Sequence, residues 1–213
     1  MKFTALFNRL FKTAGGGTKK PEEPDIMKFL ITGLGNMGPD YEGTRHNIGF
    51  DVLDQLVAEK DGSFEVMRYG DVARIKHRGK TLVLLKPSTF MNLSGKAVRY
   101  WMEKENIPIE RTMTITDDVA LPLGTIRIKK KGSDGGHNGL ADIIRKLGRS
   151  DFPRLRFGIG DDFPKGAQVH YVLSRWSDQE LNIIKPQIKK ASDSILAFSF
   201  MGIDKAMNLY NNK

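Results

Sequence analysis

Apolar and polar positions follow two different periods along the chain from residue 27 onward. Short apolar or alternating runs predict strands, and the expected strands are 29–32, 71–76, 81–85, 112–116, 125–131 and 154–159. Apolar residues spaced three and four apart predict helices, and the expected helices are 48–58, 94–105, 140–147, 177–190 and 191–210. Because strands and helices alternate, the pattern predicts an α/β fold around a mostly parallel or mixed sheet.

Two of these elements carry polar residues in informative positions. Asn47 immediately precedes the helix at 48–58 and is a candidate cap for its first turn. The strand at 125–131 alternates strictly, so its apolar residues share one face. Its opposite face carries three cations, Arg127, Lys129 and Lys131.

Residues 1–26 differ from the rest, and we expect an N-terminal extension and linker followed by one catalytic domain at 27–213. The segment MKFTALFNRLFK places five apolar side chains on one helical face, and TAGGGTKKPEEPD is typical of a flexible linker. One hypothesis is an amphipathic anchor for a membrane surface or a partner. We favour the alternative, an extension that docks on its own domain or stays loose, or an upstream start, since Met27 opens a plausible domain.

Composition narrows the class of protein. The 213 residues are 39% hydrophobic and 28% charged, which suits one globular domain of ordinary size, and no apolar stretch reaches the ~20 residues of a membrane span. The absence of cysteine excludes disulfides, thiolate nucleophiles and Cys-based metal sites, and it fits a reducing compartment, so we expect a cytoplasmic protein. The net charge of +9 favours a polyanionic partner such as nucleic acid.

The segment GLGNMG has the glycine spacing of a dinucleotide-binding motif, Gly33-x-Gly35-x-x-Gly38. In that motif the glycine turn runs directly into a helix whose N-terminus binds the pyrophosphate. Here eight residues without helical periodicity separate Gly38 from Asn47, and the expected acidic residue of a second strand is missing. The glycines therefore indicate a tight loop at the end of the first strand, and we expect no nicotinamide or flavin cofactor.

Polar side chains follow four of the expected strands. The carboxyl ends of strands in an open α/β sheet share one edge, so we expect these side chains to lie close together. They are a histidine, an acid and several amides, and the chain contains neither a G-x-S-x-G serine nor a cysteine. This set favours hydrolysis by an activated water over a covalent enzyme intermediate.

These segments resemble the bacterial peptidyl-tRNA hydrolase family, which cleaves the ester between a peptide and its tRNA without a metal. The resemblance covers residues 27–213. It rests on five blocks in the family's order: GLGNMGPDYEGTRHNIGF, KPSTFMNLSGKAV, DDVALPLG, KKGSDGGHNGLADII and RLRFGIG. It implies a compact single α/β domain with a twisted mixed sheet flanked by helices.

The resemblance also implies roles for individual residues. His46 is the general base that takes a proton from the attacking water, and Asp117 orients its imidazole. The family's amides, which position the peptide, the water and the tRNA end, match Asn36, Asn92 and Asn138. Further residues that line the cleft match Tyr41, Met91 and His137. Basic residues that contact phosphates of the tRNA acceptor arm match Arg127, Lys129, Lys131 and Arg156.

The sequence therefore predicts a monomeric hydrolase of peptidyl-tRNA that needs no cofactor and no metal, because no histidine pair has ligand spacing. A second hypothesis is a non-catalytic RNA- or protein-binding module on the same fold, which a turnover assay separates from an enzyme. A third is a dinucleotide oxidoreductase, which predicts binding of NAD(P).

Overall fold

A computed structural model describes residues 23–211, and its centre is one seven-stranded sheet. The strands in chain order are β1 Lys28–Gly33, β2 Glu65–Met67, β3 Gly70–His77, β4 Lys80–Pro87, β5 Thr112–Asp118, β6 Ile126–Lys129 and β7 Arg154–Gly158. Their order across the sheet is β2-β3-β4-β1-β5-β7-β6. The sheet is mixed, and the predicted α/β fold is confirmed.

In the described part of the chain, six α-helices accompany the sheet: α1 Ile48–Ala58, α2 Ser94–Lys104, α3 Asn138–Leu147, α4 Gln168–Val172, α5 Asp178–Met201 and α6 Ile203–Tyr210. Four short 3-10 helices, at Pro39–Tyr41, Arg45–Asn47, Met91–Leu93 and Ile109–Arg111, complete the elements. Within residues 23–211, no helix combines the length and apolar character needed to cross a membrane. The predicted amphipathic segment at the N-terminus lies outside the described residues.

Strands β4, β1, β5 and β7 are parallel to one another, whereas β3 is antiparallel to β4 and β6 is antiparallel to β7. The parallel strands therefore end at one edge of the sheet, where the loops after β1, β4 and β5 meet. Antiparallel β6 runs the other way: Ile126 pairs with Phe157 near the carboxyl end of β7, and Lys129 pairs with Arg154 at its beginning. The expectation that the glycine-rich segment after this strand starts at the carboxyl edge is therefore wrong.

The alternation of side chains along β1 divides the core into two layers. Phe29 and Ile31 pack on one side of the sheet with α1 and α5, and Leu30 packs on the other side with α2 and α3. Ile126 and Ile128 face the α1 and α5 layer, as their predicted alternation requires. Burial on both faces explains why β1 is continuously apolar rather than alternating.

The C-terminal helices differ from the prediction. The predicted boundary between residues 190 and 191 is wrong, because α5 runs unbroken from Asp178 to Met201 and contains Pro186. The buried residues Ala191 and Ile195 continue its core-facing stripe across that boundary. The break falls at Gly202, whose φ of 86° is in the left-handed region and ends the helix.

Two short elements were missed by the sequence analysis. Strand β2 has three residues and α4 has five, so neither is long enough to show a period. The omission of α4 matters for function, because this helix forms part of the candidate site described below.

Asp51 lies in the first turn of α1 and gives a stability prediction. Burial raises the pKa of its carboxyl to about 7; the neighbouring Asp54 adds to the rise, and Lys86 opposes it. Because the folded protein then holds this proton more tightly than the unfolded chain, the free energy of unfolding falls as pH rises from about 4 to about 7.

The substitution Asp51→Asn removes the cost of ionisation, so it should raise the free energy of unfolding at pH 8 by about 1–2 kcal/mol and flatten its pH dependence. Urea unfolding at pH 5 and pH 8 measures both effects. The exposed Asp162→Asn is the matched control and should change neither. An Asp51→Asn protein that is less stable at pH 8 than the wild type would contradict this account.

Candidate active site

A cleft of about 870 Å³ opens at the carboxyl edge of the sheet. All eight residues predicted to act in catalysis or substrate binding line this cleft: Asn36, Tyr41, His46, Met91, Asn92, Asp117, His137 and Asn138. They come from the loops after β1 and β4, from the end of β5 and from the start of α3. The structure therefore brings together segments that are up to about 100 residues apart in the chain. The strand-end rule accounts for the loops after β1 and β4 and for the end of β5, whereas His137 and Asn138 lie at the start of α3, after the glycine-rich segment that follows antiparallel β6.

His46 lies in the 3-10 helix Arg45–Asn47, and its imidazole is oriented by Asp117 of β5. The Nδ1 atom of His46 is 2.9 Å from Oδ1 and 3.0 Å from Oδ2 of Asp117. Since an ionised carboxylate only accepts hydrogen bonds, we assign the proton of neutral His46 to Nδ1. This tautomer leaves the Nε2 lone pair available to accept a proton.

His137 contributes a second imidazole to the same carboxylate, which the sequence analysis did not anticipate. Its Nε2 atom is 2.9 Å from Asp117 Oδ1, while its Nδ1 accepts hydrogen bonds from the backbone N–H groups of Gly139 and Leu140. Because Nδ1 accepts hydrogen bonds, neutral His137 carries its proton on Nε2, and this N–H donates a hydrogen bond to Asp117. His137 thus caps the N-terminus of α3 and fixes the carboxylate at the same time.

Asp117 is 5% exposed, and the two imidazoles determine the pKa of its carboxyl. Burial alone raises the pKa of its carboxyl, but His137 and His46 outweigh that effect and hold the pKa well below its usual range. The carboxylate consequently contributes stability above pH 4, which is lost as pH falls below that value. Asp117 therefore stays ionised throughout the neutral range, where it can stabilise a protonated His46.

Asn47 does not cap α1 through its side chain, so that prediction is wrong. Its Oδ1 accepts from the backbone N–H of Asn36 at 2.8 Å, and its Nδ2 donates to the Asn36 carbonyl at 2.9 Å. The Asn36 side chain in turn accepts from the Met91 N–H at 3.0 Å, which leaves its Nδ2 without a protein partner among residues 23–211. Asn47 therefore fixes Asn36, and the free amide of Asn36 remains available to a ligand.

The glycines after β1 serve close packing. A Cβ on Gly33 would lie 2.2 Å from the Gly49 carbonyl oxygen, and one on Gly35 would lie 2.9 Å from the Phe50 ring. The loop then forms the 3-10 helix Pro39–Tyr41 instead of the long helix that a dinucleotide motif requires. This geometry supports the interpretation of the segment as a catalytic loop.

The predicted basic residues divide into two groups. Lys129, Lys131 and Arg156 line the cleft, and Arg156 forms an ion pair with Asp118. Arg127 lies opposite Arg156 on the neighbouring strand but is not among the residues that line the cleft. The neighbouring Arg154 lines the cleft but is almost fully buried, where it donates to the carbonyls of Ser133 and Ser150 and so anchors the glycine-rich loop.

His46, Asp117 and His137 are also the set that could hold a metal ion, since one donor atom of each lies within 4.8 Å of the others. In this arrangement, however, the donor atoms bind one another. For His137 Nε2 to bind a metal, the proton would move to Nδ1, where it would face two backbone N–H groups. The hydrogen bonds of His137 therefore disfavour a metal at these three side chains.

One wall of the cleft comes from a helix that was not predicted. Two residues of α4, Val169 and Val172, line the cleft together with Leu173, which follows the helix. Val169 is 70% exposed. These aliphatic side chains are therefore accessible to a ligand in the cleft. A five-residue helix carries no periodic signal, so the sequence alone could not place this wall.

The chain is similar in sequence and in fold to known peptidyl-tRNA hydrolases. The family model for peptidyl-tRNA hydrolase matches residues 30–213. A peptidyl-tRNA hydrolase of Parabacteroides distasonis is 53% identical over 187 residues, which cover 88% of this chain and all of the relative. One of Phocaeicola vulgatus is 54% identical over the same shares. A crystal structure of the peptidyl-tRNA hydrolase of Acinetobacter baumannii matches with a TM-score of 0.82 and 33% identity over 86% of this chain and 94% of that chain.

Proposed function

Since the chain belongs to the peptidyl-tRNA hydrolase family, it is an ester hydrolase that acts on peptidyl-tRNA, and we propose that His46 and Asp117 carry the reaction. The observation that supports these roles is the pair of 2.9 and 3.0 Å contacts between His46 Nδ1 and the Asp117 carboxylate at the cleft. This orientation leaves Nε2 as the basic atom. The family model and the similar relatives confirm the family that the five sequence blocks indicated.

In the proposed reaction, His46 Nε2 takes a proton from a water molecule as its oxygen attacks the ester carbonyl carbon. The ionised Asp117 stabilises the imidazolium that forms. The tetrahedral intermediate then collapses, the bond to the ribose oxygen breaks, and the proton on Nε2 passes to that oxygen. The products are a peptide with a free carboxylate and a tRNA with a free terminal hydroxyl.

The amides in the cleft suit a substrate that is defined by its backbone. Asn92 and Asn138 are exposed in the cleft and offer a donor and an acceptor each, which matches a peptide group regardless of its side chain. We assign them to the peptide and to the developing oxyanion, and we assign the free Nδ2 of Asn36 to the tRNA end. Tyr41 and Met91 complete the lining beside these amides.

The proposed contacts to phosphates of the tRNA acceptor arm are four basic residues: Lys129, Lys131, Arg156 and Arg127. Both lysines are exposed at the cleft, at the end of β6 and just beyond it, where a backbone that leads away from the ester would pass. We further propose that the enzyme acts as a cytoplasmic monomer and that residues 27–213 form its catalytic domain.

The double variant Lys129→Ala/Lys131→Ala should bind uncharged tRNA more weakly, and its slope of log K against log salt should be shallower by about 1.4–1.8, since each lost phosphate contact removes roughly 0.7–0.9. Fluorescence anisotropy between low and moderate salt measures both quantities. Lys60→Ala/Lys76→Ala, which removes two exposed lysines away from the cleft, is the charge-matched control. Equal slopes for the two double variants would remove the phosphate role.

Turnover of N-blocked aminoacyl-tRNA is the experiment that tests the proposed function. The wild type should release free tRNA over many cycles, with activity that survives prolonged incubation with a metal chelator. Binding of tRNA without hydrolysis would favour the alternative, a non-catalytic binding module. Loss of turnover in the chelator, restored by added metal, would overturn the water-and-histidine mechanism.

A further inference from the structure

Arg45, the residue before His46, is buried although it is charged, and the mechanism above does not use it. It is 7% exposed. Its guanidinium donates to both carboxylate oxygens of Glu180, at 2.6 and 2.8 Å. It also donates to Ser174 Oγ at 2.6 Å and to the Arg175 carbonyl at 2.7 Å. A buried guanidinium with four such bonds is held in one place.

Two aromatic rings hold the same group. The guanidinium carbon lies 4.5 Å from the ring centroid of Tyr171 and 4.9 Å from that of Trp176. Tyr171 belongs to α4, and its hydroxyl donates to the Ile159 carbonyl at 2.6 Å. Arg45 is therefore the central contact of the segment between residues 171 and 180.

The helix α4 depends on this contact because it has little core of its own. All five of its residues are partly or fully exposed, and its aliphatic side chains face the cleft. The backbone of Arg45 joins the same segment to the turn that carries His46, since its N–H donates to the Ser174 carbonyl at 3.1 Å. Thr44 and Arg175 form a β-bridge beside it.

Glu180 links the cluster to the start of α5. It is the N3 residue of a capping box, in which its carboxylate accepts from the backbone N–H of Ser177 and the Ser177 hydroxyl accepts from the Glu180 N–H. One carboxylate thus fixes the N-terminus of α5 and the side chain of Arg45.

We propose that Arg45, held by Glu180, is a positioning residue that sets the apolar α4 wall of the cleft relative to His46 and thereby determines how tightly the substrate binds. Arg45 is not expected to touch the reacting atoms. The proposal rests on the hydrolase function, because it requires the α4 wall to contact the substrate in that same cleft. Loss of the Arg45–Glu180 pair should loosen the wall while His46 stays fixed by Asp117.

The chain offers a variant that separates this role from helix capping. Gln at N3 can still complete a capping box, so Glu180→Gln keeps the cap of α5 but removes the charge that holds Arg45. Ser177→Ala is the matched control, because it removes the cap hydroxyl and its 2.9 Å hydrogen bond to Glu180 but leaves the direct contacts between Glu180 and the Arg45 guanidinium. Arg45→Lys is a second test, since lysine keeps the charge but lacks the planar fork.

KM and kcat for N-blocked aminoacyl-tRNA, together with the melting temperature, are measured for all four proteins. Glu180→Gln and Arg45→Lys should raise KM about tenfold, which corresponds to roughly 1.4 kcal/mol of binding, with kcat within about threefold of the wild type. Ser177→Ala should lower the melting temperature without raising KM.

Lower melting temperatures for Glu180→Gln and Arg45→Lys with unchanged KM would show a purely structural ion pair and overturn the proposal. A fall in kcat at constant KM would do so as well, because it would place the effect on the chemical step. Absence of turnover by the wild type is a different outcome, which would contradict the hydrolase function itself.

Discussion

His46→Ala should lower kcat for N-blocked aminoacyl-tRNA by at least about 10²–10⁴-fold, the range that a positioned general base contributes. The Asp117 contacts leave Nε2 as the base, and within residues 23–211 the only other histidine at the cleft floor, His137, has both ring nitrogens engaged. Affinity for uncharged tRNA should stay within about threefold, because the removed imidazole makes no phosphate contact in this account.

His77→Ala is the matched control for this variant. His77 ends β3 and does not line the cleft, so its removal should leave kcat and KM unchanged. Wild-type activity in His46→Ala would contradict the assignment of His46 as the general base. A loss of tRNA binding equal to the loss of kcat would instead assign His46 to substrate binding.

Asp117→Asn should lower kcat about 10³–10⁴-fold, because the neutral amide neither stabilises the imidazolium nor enforces the Nδ1–H tautomer of His46. The asparagine Nδ2 group would also bring N–H donors towards His46 Nδ1, where the wild type has an acceptor at 3.0 Å. His46 would then present a protonated Nε2 to the cleft, which cannot accept a proton from water.

Rate measurements across pH distinguish this explanation from simple unfolding. Because the pKa of Asp117 lies well below its usual range, the wild-type carboxylate is ionised at both pH 6 and pH 8, so Asp117→Asn should be defective at both values, and the titration of Asp117 itself adds no pH dependence. Asp118→Asn is the neighbouring control; it removes an ion pair with Arg156 and should change kcat far less. A defect of equal size in both variants would contradict the specific role of Asp117.

The strand-end rule explains why so much of this cleft could be predicted. Asn36, Asn92 and Asp117 follow or end parallel strands, and parallel strands end at one edge whatever their exact register. The family resemblance then supplied roles for His46 and for the amides. Neither argument requires knowledge of the connections between distant segments.

The parts that were missed depend on such connections. Asn47 has the position of a helix cap, and only the approach of the β1 loop shows that its side chain binds the backbone of Asn36. The contact between His137 and Asp117 depends on how the glycine-rich loop folds over β5. Arg45 lies 135 residues from Glu180, and α4 is too short to show a period.

The predicted boundary between residues 190 and 191 was wrong for a related reason. The expected helices were 177–190 and 191–210, yet the buried face of α5 continues past residue 190 to Ile195 and Phe198. Tertiary packing therefore decided the length of this helix, and the left-handed conformation of Gly202 decided its end.

Chemical rescue of His46→Ala tests whether the His46 imidazole is the general base. Single-turnover cleavage of N-blocked aminoacyl-tRNA is followed with excess enzyme in a series of imidazole concentrations, since the cleft of about 870 Å³ admits a free imidazole beside Asp117. We expect a rate at least about 10²-fold below the wild type that rises in proportion to neutral imidazole. A wild-type rate without imidazole would contradict the assignment of His46 as the general base.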